Sequence, residues 1–272
     1  MRRLLEPVIW QGVGIHSGAT SQVTCRPGPV GGGCWISSGQ GGAFPVSPAA
    51  VSDVRRCTVL QGPGGQSVAT VEHLFSALAA LGIYDLHIQV DGPEIPILDG
   101  SALPFFEALR EHSEPAAGPL PWVLQRPLWV GQGESMVLAL PGQHTRYGWA
   151  LHYDHPMLGY QECTFEPEVD DYASQIGLAR TFALQEEVEL LRSQGLAQGG
   201  SLDNALVVQP QGFSSPLRIS QEPVRHKCLD LIGDLYLVGR PVRARFWAVK
   251  AGHRWHVEMA RKLVEEVMGS AG

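Results

Sequence analysis

The sequence predicts an α+β fold made of two domains, in each of which a β-sheet packs with helices in a layered sandwich. Short β-type stretches separated by Gly and Pro are followed by amphipathic helices, and this order recurs in the second half. Between the halves, residues 112–121 (HSEPAAGPLP) lack periodicity and are typical of a linker. We therefore expect domains at 1–111 and 122–272, and the mixed order of elements disfavours a doubly wound parallel sheet.

Turn residues and apolar spacing predict the elements of the first domain. Strands are expected in the stretches SQVTCRPG, GCWISSG, AFPVSP and CTVLQGPGG. Residues 70–82 (TVEHLFSALAALG) carry apolar side chains at helical spacing, with Thr70 as the expected N-cap and Gly82 as the stop signal. A strand, DLHIQVD, and a second helix, ALPFFEALREH, are predicted to follow.

The second domain is predicted to alternate in the same way. Strands are expected at PLWVG, SMVLALPG, YGWALHYDHP and NALVVQ. Helices are expected near 184–194, at 223–238 and at 253–268. No internal repeat is visible in the residues themselves.

The composition excludes several classes of protein. A chain of 272 residues with 44% hydrophobic residues is long and apolar enough for a packed core, and its net charge of -7 argues against a broad nucleic-acid-binding surface. The five cysteines are scattered and form no C-x-x-C pair, which indicates reduced thiols and a cytoplasmic location. No apolar stretch is long enough to cross a membrane. We expect a monomer.

His226, Asp230 and Asp234 recur at every fourth position of RHKCLDLIGDL (225–235). On a helix, positions four apart advance only about 40°, so the three side chains share one face. A His and an Asp four residues apart have the spacing of a metal-binding pair. An exposed polar face with one salt bridge to Lys or Arg would give the same pattern. The stripe alone leaves both interpretations open. The helix also carries apolar residues that are expected to face the core: Leu229, Ile232 and Leu235.

A catalytic zinc site needs three protein ligands and one open position, so the stripe requires a further ligand from elsewhere. The pair Glu72–His73 in TVEHLFSAL is the best candidate. Adjacent helical residues lie about 100° apart, so one can bind a metal while the other faces the reacting water. A first-turn acid that complements the helix dipole, followed by an ordinary half-buried histidine, is the alternative.

Several further motifs are weak when taken singly. His253 follows Gly252 at the start of a predicted helix, and ARTF (179–182) offers a hydroxyl, a cation and an aromatic ring. GGSLDNALVV (199–208) is a Gly-rich turn. GVGIHSG is not a phosphate-binding fingerprint, because no strand-GxGxxG-helix unit follows it.

Together, these motifs resemble the UDP-3-O-acyl-N-acetylglucosamine deacetylase family, the zinc amidases of lipid A synthesis. The resemblance covers residues 8–264 and is carried, in this order, by GVGIHSG, TVEHLFSALAALGI, DGPEIPILDGSALPF, ARTF, GLAQGGSLDNALVV, RHKCLDLIGDLYL and KAGH. It implies zinc-dependent removal of the N-acetyl group from UDP-3-O-[(3R)-3-hydroxyacyl]-N-acetylglucosamine in a Gram-negative-type bacterium. It also implies that the metal lies between the two α+β domains.

The resemblance assigns roles to individual residues. It implies one Zn2+ per chain, bound by His73, His226 and Asp230. Glu72 matches the general base, and His253 matches the general acid or cationic partner. One base and one imidazolium acid would give a bell-shaped pH dependence.

Other roles implied by the resemblance concern positioning and substrate contacts. Asp234 matches the carboxylate that orients the catalytic histidine, and Thr181 and Lys227 match groups around the developing oxyanion and the substrate. Aromatic contacts near the nucleotide and sugar are implied for Tyr153 and Phe182. Lys250, together with Lys227, is expected to contact the diphosphate.

A segment near 183–200 resembles an inserted unit that forms a hydrophobic passage for the acyl chain. The residues implied for this passage are Val188, Leu190, Leu191 and Ala197. An ordinary amphipathic helix that buries this face would explain the same pattern. Arg55 and Arg56 depart from the family, in which this place is apolar, and make the expected edge of the pocket more basic. His256 is interpreted as a bystander.

Two other functions stay open on the residues. A catalytically silent homologue would bind the UDP-sugar without cleaving it, but the intact Glu72 and His253 argue against that. Two histidines and one carboxylate are also the ligands of non-heme iron oxygenases. That class uses closely spaced strand ligands, whereas His226 and Asp230 have helical spacing.

Overall fold

The computed structural model describes residues 1–39 and 41–269 and confirms the α+β class. The first half of the chain forms helices α1 (Glu72–Leu81) and α2 (Leu103–Glu111). Its strands are β1 (Arg2–Leu4), β2 (Val8–Val13), β3 (Thr20–Pro27), β4 (Cys34–Ser38), β5 (Phe44–Pro45), β6 (Val51–Asp53), β7 (Val59–Gln61), β8 (Ser67–Val68), β9 (Leu86–Asp91) and β10 (Ser113–Pro115).

The second half forms helices α3 (Gln185–Ser193), α4 (Glu222–Leu235) and α5 (His253–Gly269), and α4 continues into a short 3-10 turn. Its strands are β11 (Trp122–Val123), β12 (Leu128–Gln132), β13 (Ser135–Pro141), β14 (Arg146–His152), β15 (Tyr160–Phe165), β16 (Phe182–Leu184), β17 (Leu206–Gln209), β18 (Gly212–Phe213) and β19 (Val242–Val249). The helices predicted near 184–194, 223–238 and 253–268 are therefore present.

The two main sheets have the same topology. Their strand orders are β2-β3-β9-β4-β5 and β12-β13-β19-β14-β15. In each sheet the central strand is antiparallel to one neighbour and parallel to the other. Strand β9 is antiparallel to β3 and parallel to β4, and β19 is antiparallel to β13 and parallel to β14. Each central strand also lies between two helices in the chain, α1 and α2 or α4 and α5. The chain thus contains a structural repeat that its residues did not reveal.

The helices lie between the sheets. Helix α1 packs against both α2 and α4, and α4 and α5 pack on the second sheet. Trp10 of β2 contacts Phe105 of α2, with ring centroids 5.2 Å apart. Side chains alternate along strand β19, where every second residue is buried in the core and those between are more exposed. Apolar side chains from both halves form one continuous core.

Helix α1 ends where the sequence predicts but begins differently. Gly82 has a φ of 64°, and its N–H bonds the Ala79 carbonyl, so the helix ends at a glycine in the left-handed conformation. The prediction that Thr70 caps the helix is wrong. Thr70 has a φ of 58°, and its hydroxyl donates to Glu94 at 2.7 Å, so it cannot cap the first turn. The cap residue is Val71, and its side chain makes no capping hydrogen bond.

Part of the predicted linker is ordered as a strand. Residues 113–115 form β10, which pairs antiparallel with β1 so that Leu4 lies opposite Ser113. The irregular part of the predicted linker is therefore 116–121. Within the parts of the chain that the structure describes, no helix is both long enough and apolar enough to cross a bilayer.

Gly233 sets the distance between α1 and α4. A Cβ atom at this position would overlap the backbone carbonyl of Glu72, so the helices approach closely only because the residue is glycine. We expect Gly233→Ala to lower the free energy of unfolding by about 1–3 kcal/mol, because overpacking forces the two backbones apart. Chemical denaturation measures this change. Gly212→Ala is the control, since a Cβ there meets nothing within 4 Å, and an equal loss in both variants would contradict the assignment.

Candidate metal centre and active site

A cavity of about 1140 Å3 opens where the two halves of the chain meet. Its wall combines the start of α1 and the β6–β7 connection with α3, α4 and the start of α5. The wall contains these sequence-predicted site residues: Glu72, His73, Tyr153, Thr181, Phe182, Val188, Ala197, His226, Lys227, Asp230, Lys250 and His253. Asp234 is buried behind the wall. The glycine-rich GVGIHSG loop adds Ile15 and His16.

His73, His226 and Asp230 converge in this cavity. Their candidate ligand atoms all lie within 4.8 Å of one another. Nε2 of His226 is 3.4 Å from an oxygen of Asp230, and the two imidazole centroids are 5.0 Å apart. His226 and Asp230 are only 3% and 2% exposed, so the interpretation of the α4 stripe as a solvated face is wrong.

The protonation states of these side chains suit a bound cation. Burial lowers the pKa of His73 to about 3 and also lowers the pKa of His226, so both imidazoles are neutral. Burial opposes ionisation of Asp230, but the ammonium group of Lys227 holds the pKa of this carboxyl well below its usual range. Two neutral imidazoles with one carboxylate are a donor set for a divalent transition metal.

The hydrogen bonds of the two imidazoles also fit a metal. His226 donates its Nδ1–H to the Ala179 carbonyl at 3.1 Å, which leaves the lone pair of Nε2 pointing toward Asp230. This is the arrangement that fixes the tautomer of a metal-ligating histidine. Nδ1 of His73 is buried and has no hydrogen-bond partner among the described residues. A buried nitrogen without a partner is costly unless a ligand completes it.

Glu72 is buried at the start of α1, beside the three candidate ligands. Burial, helped by the carboxylates of Asp234 and Asp230, raises the pKa of Glu72 to about 8, although His253 opposes the shift. One carboxylate oxygen accepts the backbone N–H of Thr58 at 3.1 Å. The other oxygen lies 3.9 Å from Nε2 of His253. A carboxyl with such a raised pKa can exchange protons near neutral pH.

His253 is held by Asp234 from the side opposite Glu72. Its Nδ1–H donates to Asp234 at 2.8 Å, and its Nε2 faces the cavity. Burial would lower the pKa of His253, but Asp234 and Glu72 outweigh it and raise the pKa to about 9. The ring is therefore protonated on both nitrogens at neutral pH, and its Nε2–H is available as a donor.

His256 contacts the same carboxylate, so its interpretation as a bystander is wrong. Its Nδ1 lies 2.9 Å from the oxygen of Asp234 that also accepts from His253. Trp149 donates its indole N–H to the other ring nitrogen at 3.5 Å. Both imidazoles thus use Nδ1–H as a donor to Asp234, which argues against a second metal site at this cluster even though the three side chains lie close together.

Thr181, Phe182 and Lys227 lie beside the candidate ligands. Thr181 lines the cavity, and its N–H bonds the Gly100 carbonyl at 2.8 Å, which fixes the backbone there. The ammonium group of Lys227 is 2.9 Å from Asp230 and lies over the Phe182 ring, 5.6 Å from its centroid. In this geometry Lys227 supports a candidate ligand and is also exposed to the cavity.

The remaining predicted contacts surround the cavity mouth. Tyr153 packs edge-on against Phe182, with centroids 6.4 Å apart. Lys250 lines the cavity but pairs with Glu134 at 2.7 Å, so a diphosphate would have to compete with this exposed carboxylate. Arg55 and Arg56 also lie in the wall, as expected for a basic edge.

The segment that contains α3 forms one wall of the cavity. It combines this helix with a small mixed sheet whose strand order is β16-β17-β18. Val188, Leu191 and Ala197 line the cavity. The prediction that Leu190 also faces the passage is wrong, because this side chain points outward and is 53% exposed. Arg56 reaches α3 from the first half and lies 3.8 Å from Glu187.

Residues 2–265 match the protein family described as "LpxC: UDP-3-O-acyl N-acetylglycosamine deacetylase". The chain belongs to the LpxC family. This is a family of metal-dependent hydrolases that act on an N-acetyl amide, and the predicted resemblance is confirmed. The match covers both structural repeats and every candidate site residue.

Curated relatives agree with the assignment to the LpxC family. A protein of Nostoc named UDP-3-O-acyl-N-acetylglucosamine deacetylase is 40% identical over 96% of this chain and 97% of its own length. Proteins with the same name from Thermosynechococcus vestitus and Myxococcus xanthus are 41% and 39% identical. These cover 97% and 94% of this chain, and 94% and 83% of the relatives.

Two residues of this LpxC-family site make hydrogen bonds that were not predicted from the sequence. Thr58 bonds both Glu72 and Asp234, and His256 bonds Asp234. No spacing pattern connects Thr58 to either partner, since one lies 14 positions away and the other 176. His256 did offer a signal, because it lies one helical turn after His253 and shares its face.

Proposed function

We propose that the protein hydrolyses the N-acetyl group of UDP-3-O-acyl-N-acetylglucosamine to a free amine and acetate, with one zinc ion held by His73, His226 and Asp230. The observation that carries the proposal is the convergence of these three side chains with Glu72 and His253 in one cavity. Curated relatives over nearly the whole chain bear the corresponding name. This reaction belongs to lipid A biosynthesis.

The metal and the protein would divide the chemistry. When bound, zinc lowers the pKa of water and polarises a carbonyl oxygen, which an unreactive amide requires. His226 and Asp230 present their donor atoms from one face of α4, and His73 presents its imidazole from the facing helix α1. Because this ligand set also accommodates iron, metal analysis is part of the test below.

Glu72 is proposed as the general base. Its buried carboxylate lies next to His73 in sequence and shares the cavity wall with the candidate ligands. Thr58 occupies one carboxylate oxygen, so the other is available to take a proton from the attacking water. Positioned bases of this kind contribute about 10²–10⁴-fold in rate.

His253 is proposed as the general acid, oriented by Asp234. A bare amide anion is too poor a leaving group, so the nitrogen must receive a proton as the bond to carbon breaks. The hydrogen bond to Asp234 keeps Nδ1 protonated and directs Nε2–H into the cavity. Thr181 and Lys227 are proposed to stabilise the negative oxygen that develops on the acetyl carbon, an effect worth about 3–4 kcal/mol per donor.

Substrate binding is proposed to use the rest of the cavity wall. Phe182 and Tyr153 offer ring faces to the sugar and nucleotide, and Lys250 offers a cation to the diphosphate. Val188 and Ala197 form part of an apolar wall for the acyl chain. A cavity of about 1140 Å3 exceeds the usual size of a drug-sized ligand pocket, which suits a large lipidated substrate.

Acetate release from UDP-3-O-acyl-N-acetylglucosamine tests the function directly. We expect turnover that a chelator abolishes and that zinc restores, with about one zinc per chain in the purified protein. Binding of the nucleotide sugar without acetate release would identify a silent homologue. Turnover that depends on iron and not on zinc would reassign the metal.

The pH dependence tests the assignment of the acid. Because the pKa of His253 is raised to about 9, we expect kcat/KM to fall as the pH rises through that value and the imidazolium loses its proton. Asp234→Asn removes the charge that supports the imidazolium, so it should move this basic limb to lower pH. Rate measurements across the alkaline range check this. A limb that stays in place in the variant would reassign the acid.

A cytoplasmic location and a monomeric state are part of the proposal. All five cysteines are buried and unpaired, which suits a reducing compartment. Size-exclusion chromatography with light scattering tests the monomer.

A further inference from the structure

Thr58 makes hydrogen bonds to two acidic groups, Glu72 in the cavity wall and Asp234 behind it. Its hydroxyl donates to one oxygen of Asp234 at 2.6 Å, and its backbone N–H donates to Glu72 at 3.1 Å. Thr58 is fully buried. It directly precedes β7 in the first half of the chain, whereas Asp234 belongs to α4 in the second half. One residue therefore connects the candidate base to the carboxylate behind the candidate acid.

The hydroxyl completes the coordination of Asp234. One oxygen of this carboxylate accepts from the imidazoles of His253 and His256, and the other accepts from Thr58. Rotation of an aspartate about its terminal bond is soft, so donors that bond one oxygen alone do not fix the plane of the carboxylate. The hydroxyl on the opposite oxygen fixes that plane. Titratable groups from α5 and α1 face this position, namely the two histidines and Glu72.

We propose that Thr58 is a positioning residue for the deacetylation, which locks the Asp234 carboxylate so that His253 presents its Nε2–H to the leaving nitrogen. The inference rests on the proposed function and extends it to a residue outside the ligand and acid–base set. Thr58 acts through Asp234 and does not itself reach the reacting atoms. Its backbone N–H also bonds Glu72. Thr58 therefore positions the proposed base directly and the proposed acid, His253, through Asp234.

The test uses the zinc-loaded full chain and compares Thr58→Val with Thr58→Ser. Valine keeps the branched shape but removes the hydroxyl, and we expect kcat to fall about 10- to 100-fold, the cost of losing a hydrogen bond to a buried charged group, with KM almost unchanged. Serine keeps the hydroxyl, so its kcat should stay near that of the wild type. If Thr58→Val does not fold, Thr58→Ala removes the same hydroxyl without a new methyl contact and carries the same expectation.

A double-mutant cycle separates positioning from packing. If Thr58 acts through Asp234, the Thr58→Val effect on kcat should largely vanish in the Asp234→Asn background, because the two changes interrupt one pathway. Equal losses of kcat in both backgrounds would overturn the proposal. An equal loss in Thr58→Ser and Thr58→Val would also overturn it, since the missing hydroxyl could not then be the cause.

A spectroscopic readout is independent of turnover. The Nδ1 proton of His253 should give a downfield NMR resonance in the wild type, identified by its absence in His253→Gln, and this resonance should shift or broaden in Thr58→Val but not in Thr58→Ser. An unchanged resonance in Thr58→Val would overturn the proposal. A wild-type chain that releases no acetate would instead refute the proposed function, and the resonance would still decide the role of Thr58.

Discussion

Replacing Glu72 by glutamine should abolish most deacetylation while the protein keeps its fold and its zinc. The amide has nearly the same shape as the carboxyl and can still accept the N–H of Thr58, so the start of α1 need not move. It cannot take a proton from water. We expect kcat to fall by about 10²–10⁴-fold, the usual contribution of a positioned general base. Acetate release and zinc analysis on the same preparation measure both quantities.

Glu187→Gln is the matched control for this experiment. Glu187 also has a carboxyl in the cavity wall, but its ion-pair partner Arg56 lies 3.8 Å away and both side chains are partly exposed. Such pairs contribute little to stability, so kcat should stay close to that of the wild type. Near-normal turnover in Glu72→Gln would remove Glu72 from the role of base. A similar loss in both variants would point to a general effect of cavity charge.

Replacing Asp230 by alanine should remove the metal. The variant loses the one anionic member of the proposed ligand set and leaves Lys227 without its carboxylate partner. Changes to groups that merely support ligands already cost about 10–100-fold in metal affinity, so the loss of a ligand should exceed that range. Zinc content after dialysis, and the zinc concentration that restores activity, measure the effect. Full retention of zinc would disprove the ligand assignment.

Asp234→Asn is the matched control for the zinc analysis of Asp230→Ala. Asp234 lies one helical turn after Asp230 on the same face of α4 and is equally buried, but it bonds two histidines and Thr58. We expect this variant to keep about one zinc per chain and to turn over more slowly than the wild type. Loss of zinc in both variants would show that disruption of α4, and not removal of a ligand, causes the effect.

The secondary structure and the set of site residues were accessible from the sequence for different reasons. Helices α1 and α4 have apolar periodicity, and α1 also has a glycine stop, and both signals depend only on neighbouring residues. The metal-type spacing of His226 and Asp230 is also local. Their burial is not local, because it depends on α1 packing over α4, and the residues alone therefore allowed a solvated stripe. The resemblance to a family selected the correct interpretation.

Features that depend on tertiary contacts were missed. The contacts of Thr58 join segments far apart in the chain, and no periodicity reports them. Thr70 was assigned as a cap from residue type, but its hydroxyl bonds Glu94 instead. The structural repeat was invisible because two sheets can share a strand order while their side chains diverge. A glycine within a buried helix costs about 1 kcal/mol, so Gly233 was a usable signal of close helix packing.

The close approach at Gly233 has a consequence for how the protein folds. The carbonyl that a side chain there would strike belongs to Glu72, so the same crossing brings together the base, His73 and the α4 residues His226 and Asp230. Neither helix carries a complete site before docking. The proposed metal site is therefore expected to form only when the two halves have assembled, and the free energy of metal binding would then help to hold them together. The proposed zinc ion would connect the two structural repeats, and we expect its removal to weaken the contact between α1 and α4 first.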